Sequence, residues 1–410
     1  MKISKRGIAA VVAGAVVASM FAIGTPANAS SNAITIWADT GAKTVIQNLI
    51  QKWGADNGVT ITIVGKDFGK VRDILKTAVN NGNGPDILAA APHDWTGNLV
   101  NSGVLKPVTL APAVKNGLAA SSLSAFTINS NGSNKLYGAP GWLENIAFFR
   151  NVKLAKTHPA TWNAIANGEL NIPYSSGNDP YHFYPVQTGF GAPVFTSTKG
   201  VWNSTLGMGG SNGAAFANFL KTKGSAYFGK SSDNAICNFV LGKVKYLVTG
   251  PWNLTAIEKG TTGCTKGLKF GTGFVIEKFP AGPKGASTPF LGERGFFETR
   301  QVDADANSVA VTKLLNYVAG PVAGAYYLTN FNKQPANIVA NRKTASHKDL
   351  AGFAAAGVGA MAMPNIAAMD KVWSDWGAVE GKLLNSVTGP SSNAPSDWAA
   401  MVTKIAGTIG

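Results

Sequence analysis

The sequence predicts an α/β fold of two doubly wound lobes joined by a three-segment hinge, and three observations carry that expectation. From Ile34 to Val104, apolar stretches of strand length alternate with stretches of helical periodicity, which implies right-handed βαβ crossovers and a largely parallel sheet. A second alternating block runs from Asn151 to about Trp252. Roughly 380 residues follow the N-terminal leader, more than one hydrophobic core usually serves.

The elements follow in order. Lys2, Lys5 and Arg6 precede an apolar run from Ile8 to about Phe21, then Pro26 and Ala27-Asn28-Ala29. This predicts a secretory signal peptide over 1–29, cleaved near Ala29. The run is too short for a membrane span, and with no Cys at the junction the expected product is exported without a lipid anchor, to the periplasm or the medium.

Ile34 opens a strand that ends in Trp37-Ala38-Asp39. Val45, Ile46, Leu49, Ile50 and Trp53 recur at helical spacing until Gly54 and Gly58 end the helix. Val59–Val64 reads as a strand, Val71, Ile74, Leu75 and Val79 as a helix, and Gly84-Pro85-Asp86 leads into a strand at Ile87–Ala90. Ligands bind beyond the carboxyl ends of strands in such sheets, so Asp39 and Asp94 face one crevice.

In the second block a helix is expected from Thr161-Trp162 after Pro159, another at Ala214–Leu220, and a strand at Val244–Val248 closed by Gly250-Pro251. A further helix spans Val309–Val318, whereas Asn129–Asn134 and Ser391–Ser396 read as loops. Passages between lobes are expected at Gly138–Trp142, at Pro289-Phe290-Leu291-Gly292 and within Gln334–Thr344. The first lobe is therefore 30–142 plus 292–338, and the second 143–291 plus 339–410. The neighbouring charges Glu293 and Arg294 are expected to be solvated at the hinge, or Arg294 to reach the cleft.

The net charge is +15, but the basic residues are scattered singly. A nucleic-acid partner is not expected, and the charge reads as a surface property. The two cysteines, Cys237 and Cys264, would share an oxidising compartment and bond to each other, closing a loop of about 27 residues. The alternative is two buried free thiols. His93, His158, His182 and His347 lie apart without partners at zinc spacing, so no metal or other cofactor is expected, and each reads as a surface or packing residue. No phosphate-binding loop and no nucleophile elbow occurs.

Aromatic and acidic residues recur together at segment ends: Trp37 with Asp39, Asp94 with Trp95, Trp142 with Glu144, Asp179 with Tyr181, then Trp252, Trp373 and Trp376. Sugars offer an apolar CH face and a rim of hydroxyls. Flat rings meet the first and ionised acceptors the second.

At these residues the chain resembles the maltose/maltodextrin-binding family of ABC-transporter extracellular solute-binding proteins (family 1 type). The resemblance is carried by Trp37-Ala38-Asp39, Gly84-Pro85-Asp86-Ile87, His93-Asp94, Asp179-Pro180-Tyr181, Thr249-Gly250-Pro251-Trp252, Pro289-Phe290-Leu291-Gly292 and Met363-Pro364-Asn365-Ile366 with Trp373. It implies a periplasmic-binding-protein-like fold and a non-enzymatic, monomeric receptor that passes an oligosaccharide or disaccharide to ABC permease subunits. It also implies that Asp39 and Asp94 take sugar hydroxyls from the first lobe, with Glu144 near the crossing. Asp179 acts from the second lobe, and Tyr181, Trp252 and Trp373 stack on sugar rings. Trp95, Trp376 and Arg294 complete the expected ligand-binding set. Four places depart from the maltose-type pattern: Ala91, Trp95, Arg150-Asn151 and Gly377, the last standing where an Arg is expected. Arg294 would replace that Arg. The rival readings are a secreted glycosidase using Asp94 and Glu144, and the same fold binding a non-sugar solute.

Overall fold

The computed structural model describes residues 32–409 apart from 131, 174–178, 199–200, 229–231, 262, 305–306 and 386–392. The expected signal peptide lies outside the described residues. The chain opens with β1 (Ala33–Asp39), α1 (Thr40–Asp56), β2 (Thr60–Lys66), α2 (Phe68–Asn80) and β3 (Ile87–Pro92). A 3-10 turn at His93–Trp95 leads to α3 (Thr96–Asn101), α4 (Pro112–Asn116), α5 (Ala120–Ala125), a hairpin of β4 (Thr127–Ser130) and β5 (Ser133–Leu136), and then β6 (Ala139–Glu144). Next come β7 (Ala147–Asn151), β8 (Leu170–Asn171), α6 (Pro180–Gly189), β9 (Phe195–Thr198), β10 (Val201–Leu206), α7 (Gly210–Phe228) and α8 (Ser232–Val240). β11 (Tyr246–Thr249), α9 (Leu254–Lys259), β12 (Phe274–Glu277) and β13 (Gly292–Glu298) follow. The remainder is α10 (Ser308–Val318), α11 (Pro321–Phe331), β14 (Gln334–Pro335), α12 (Ile338–Asn341), α13 (Lys348–Ala356), α14 (Met369–Asn385) and α15 (Ala394–Ile409).

Two sheets organise these elements, one per lobe: a six-stranded sheet ordered β14-β6-β13-β3-β1-β2 and a four-stranded sheet ordered β12-β7-β11-β8. The period-2 alternation of β1 feeds two cores. Ile34, Ile36 and Ala38 point to one face with the α1 stripe and α10, while Trp37 points to the other with Leu75 and Leu99. Full burial of each large apolar side chain contributes about 1.5–3 kcal/mol, so the two-faced burial specifies the register of β1. The second lobe gathers Phe148, Phe149, Phe183, Leu247, Phe274 and Trp398 in one core.

The sheets are mixed, not largely parallel. β1 pairs in parallel with β2 and β3, and β8 with β11, but β13 runs antiparallel to β3 and β6, and β7 antiparallel to β11 and β12. The reason lies in the passages between lobes. β13 and β7 enter directly from the other sheet with no crossover helix, so each starts where its neighbour ends: Arg294 opposes Pro92, and Ala147 opposes Thr249. At the first passage, Gly138–Trp142 leads into and forms β6, and Asn145-Ile146 joins β6 to β7 of the other sheet. The second lies ahead of β13, and the third between α12 and α13.

Three local expectations fail for identifiable reasons. Asn129–Asn134 belongs to a hairpin in which Asn129 pairs with Asn134, so Asn, Ser and Gly form its tip while backbone bonds hold it. At Thr161–Trp162 only a single 3-10 turn forms, because Thr161 bridges Ala281 and the Trp162 indole donates to Ser287 at 2.9 Å. Of the expected loop Ser391–Ser396, residues 391–392 lie outside the described residues, and Ala394–Ser396 belong to α15, where the Asn393 side chain accepts from the Ser396 N–H; capping chemistry there resembles a loop in sequence. Cys237 and Cys264 are disulfide-bonded with Cα atoms 5.5 Å apart, tying α8 to the turn after α9. Among the described residues no helix is long and apolar enough to cross a membrane.

Candidate functional site

β1 delivers Asp39 to the carboxyl edge of the first sheet. Its carboxylate caps α1 by accepting the Ala42 N–H at 2.9 Å, which leaves Oδ2 directed to Arg294 Nη1 at 3.4 Å. Arg294 projects from β13 and donates from Nε to Glu144 Oε1 at 2.6 Å and from Nη1 to the Ala90 carbonyl at 3.2 Å. That carbonyl is available because β3 carries an extra residue opposite Gly295–Phe297, with Ala90 at φ 53°. Such bulges re-aim groups beside functional sites. The other Glu144 oxygen lies 3.7 Å from Lys333 Nζ and accepts from the Trp142 indole at 3.4 Å. Burial alone would raise the Glu144 pKa, but Arg294 and Lys333 outweigh it and hold the group below its ordinary value. Burial likewise pulls Lys333 down, against the attraction of Glu144.

Asp94 stands in the turn after β3, 5 % exposed, with Oδ1 lacking a hydrogen-bond partner among the described residues. Burial pushes its pKa up to about 7, against the pull of Arg72. Arg72 on α2 ion-pairs with Asp370 at the start of α14, and Asp370 also accepts from Asn98 at 2.8 Å. The neighbouring His93 bridges three segments: the Glu293 N–H donates to Nδ1 at 3.0 Å, so the proton on Nε2 is directed to the Met363 carbonyl at 2.8 Å. Burial lowers its pKa to about 4. The stretch Met363–Ile366 fits α3 closely. A Cβ at Gly97 would sit 2.4 Å from the Asn365 carbonyl oxygen.

The second lobe contributes an aromatic surface. Asp179 caps α6, accepting the His182 N–H at 3.3 Å and bonding His182 Nδ1 at 2.7 Å. The Tyr181 ring lies 6.3 Å from Trp252 and is stacked with Phe290 at 6.3 Å. Trp373 meets Phe290 edge-on at 6.1 Å. Tyr181 also approaches the start of β13 in the first sheet: a Cβ at Gly292 would lie 2.9 Å from the Glu144 carbonyl oxygen and 3.7 Å from the Tyr181 hydroxyl. Its phenol pKa is raised by burial first and by Glu144 next.

Asp39, Glu144, Arg294 and Tyr181 are thus brought together, with Asp94 beside them and Asp179, Trp252 and Trp373 on the facing lobe. Several placements differ from expectation. Glu293 and Arg294 are not solvated: Glu293 is buried, Oε2 has no partner among the described residues, and burial pushes its pKa up to about 8. Trp376 is 0 % exposed and stacks behind Trp373 at 5.5 Å, so it supports a binding surface instead of forming one. Trp95 is likewise buried, under Phe68. Asp86 is engaged within the first lobe, accepting from the Thr35 N–H and from the Asn307 side-chain amide. Sequence reasoning missed Lys333, Arg72, Asp370 and Phe68, which sit in helices or at their ends without an adjacent aromatic-acid pair, Phe68 excepted: it follows Asp67.

Residues 48–355 match the family described as bacterial extracellular solute-binding protein. A maltodextrin-binding protein of Bacillus subtilis (strain 168) is 23% identical, with the alignment covering 97% of this chain and 96% of that one. A galactooligosaccharide-binding protein of the same organism is 25% identical over 72% of this chain and 73% of its own length. The solved maltotriose binding protein of Thermus thermophilus superposes with a TM-score of 0.78 at 24% identity, over 92% of this chain and 100% of that one. Because the family match spans most of the chain and the two-sheet architecture agrees with it, the protein belongs to the bacterial extracellular solute-binding proteins.

Proposed function

We propose that this chain is a carbohydrate receptor that binds a maltodextrin-like oligosaccharide between its lobes and delivers it to an ABC importer. The observation that carries this reading is the meeting of the Asp39–Arg294–Glu144 cluster with the Tyr181–Trp252–Phe290–Trp373 surface. Ionised groups there suit hydroxyls and the rings suit pyranose faces. The names of the relatives point to the same ligand class. In this reading the lobes are 30–142 plus 292–338 and 143–291 plus 339–410, with the first boundary shifted to the end of β6 so that Leu143 and Glu144 stay with the first sheet. The mature protein is a monomer, exported by the 1–29 signal and carrying no lipid anchor, and its second partner is the permease. Titration calorimetry against malto- and galacto-oligosaccharides tests the ligand class. Failure of every sugar to bind would overturn it.

One observation favours a second reading. The pKa values of Asp94 and Glu144 are pushed apart, up to about 7 for Asp94 and downward for Glu144, as a glycosidase acid and its partner require. Against it, both Glu144 oxygens are engaged, by Arg294 and by Lys333 with Trp142, which leaves no lone carboxylate poised for attack. New reducing ends on prolonged incubation with oligosaccharide would establish hydrolysis, and their absence would leave binding alone.

A further inference from the structure

We infer that Asp67 and Phe68 form an additional pyranose subsite on the rim of the first lobe, which extends the cleft by one sugar ring beyond the Asp39–Arg294–Glu144 cluster. This rests on the sugar-receptor reading above. Phe68 is the first residue of α2 and is 48 % exposed, although its ring is fixed from beneath. It lies 5.3 Å from the Trp95 ring, and the Arg294 guanidinium carbon is 5.3 Å from its centroid. Trp95 follows Asp94 in the chain, and Arg294 holds Asp39 and Glu144. Phe68 therefore continues the charged cluster outward and turns its free side to water.

Asp67 adds the second requirement. It occupies the N-cap position of α2 in extended conformation, but its side chain makes no capping hydrogen bond, and the residue is exposed. N-cap carboxylates usually satisfy a backbone donor of the first turn. This one is left as an acceptor beside an exposed ring, the pairing of flat surface and carboxylate that a sugar needs. The other stacking rings, Tyr181, Trp252 and Trp373, all belong to elements of the second lobe. Phe68 supplies the first lobe with a ring of its own, placed where it can cover a residue of the oligosaccharide that those rings do not.

The discriminating experiment is calorimetric titration of wild type, Phe68→Ala, Phe68→Trp and Asp67→Asn with malto- and galacto-oligosaccharides of two to five rings. The subsite predicts a chain-length signature. Phe68→Ala loses about three- to tenfold in affinity for the longer chains of whichever series binds, and less than twofold for the shortest chain bound. Phe68→Trp keeps the preference for length, and Asp67→Asn weakens the same long chains. An equal loss at all lengths would mean that Phe68 only supports Arg294, and no loss at any length would mean a solvated ring; either overturns the subsite while leaving the receptor reading intact. A wild type that binds neither series overturns both.

Discussion

At the scale of the residue, Arg294 is the centre of the proposed site, since among the described residues it joins Asp39, Glu144 and the Ala90 carbonyl. Removing one member of a largely buried ion pair leaves its partners uncompensated, a cost of about 3–5 kcal/mol. Arg294→Ala should therefore lower unfolding stability in urea by about that amount as well as weaken ligand binding. A variant with unchanged midpoint and affinity would show Lys333 sufficient to neutralise Glu144. Glu293 and His93 are adjacent through a backbone bond yet respond to pH in opposite senses. The folded pKa of Glu293 is raised to about 8, so as pH climbs from its unfolded value the unfolded chain ionises first and the native state loses relative stability until about pH 8. The folded pKa of His93 is lowered to about 4, so its penalty is absent above its unfolded value and grows as pH falls to about 4. Glu293→Gln should leave stability nearly unchanged near pH 4.5 and raise it by about 2–4 kcal/mol at pH 8. A difference independent of pH would mean that Glu293 is not held neutral by the fold.

At the scale of the element, the disulfide joins α8 to the turn after α9. The chain-entropy model gives about 3–4 kcal/mol for a loop of this size. The double variant Cys237→Ser, Cys264→Ser should show that loss in equilibrium unfolding while keeping sugar affinity within about twofold, since the bridge lies beyond the far end of α9 from Trp252. Loss of affinity equal to the loss of stability would instead place α8 in the binding machinery. Helices and strands with clear periodicity were legible in the sequence: the α1 stripe of Val45, Ile46, Leu49, Ile50 and Trp53 is buried as expected. Strand direction was not, because a mixed sheet arises from where β13 and β7 enter, a long-range property that periodicity does not encode. In the site, acids that follow strands, such as Asp39 and Glu144, could be read from position. Lys333 could not. It comes after the left-handed Asn332 that ends α11, and only the folded chain carries it to Glu144. The burial of Glu293 escaped for the same reason, since two charges in succession look solvated until the strand containing them is found at the middle of a sheet.

At the scale of the whole molecule, the chain passes between the two sheets three times, and the proposed ligand groups are divided between the lobes. Ligand contact with both sides is the differential interaction that can favour a closed form. Small-angle scattering should give a smaller radius of gyration at saturating sugar than without it. Equal radii with tight binding would rule out closure and mean a preformed or one-sided site. The same interleaving constrains the order in which the molecule can be assembled as it leaves the ribosome. β13 lies between β3 and β6 in the finished sheet, yet it is encoded after the whole of the second sheet. Until Gly292–Glu298 has emerged, the N-terminal lobe has no centre, and the facing edges of β3 and β6 are left without their partner, the kind of open strand edge that associates wrongly. Non-local pairing of this sort is slow to form. In the exported-receptor reading proposed above, a chain that cannot close its first lobe until late in synthesis stays threadable through a translocation pore while most of it is made, and its folding is deferred to the far side of the membrane.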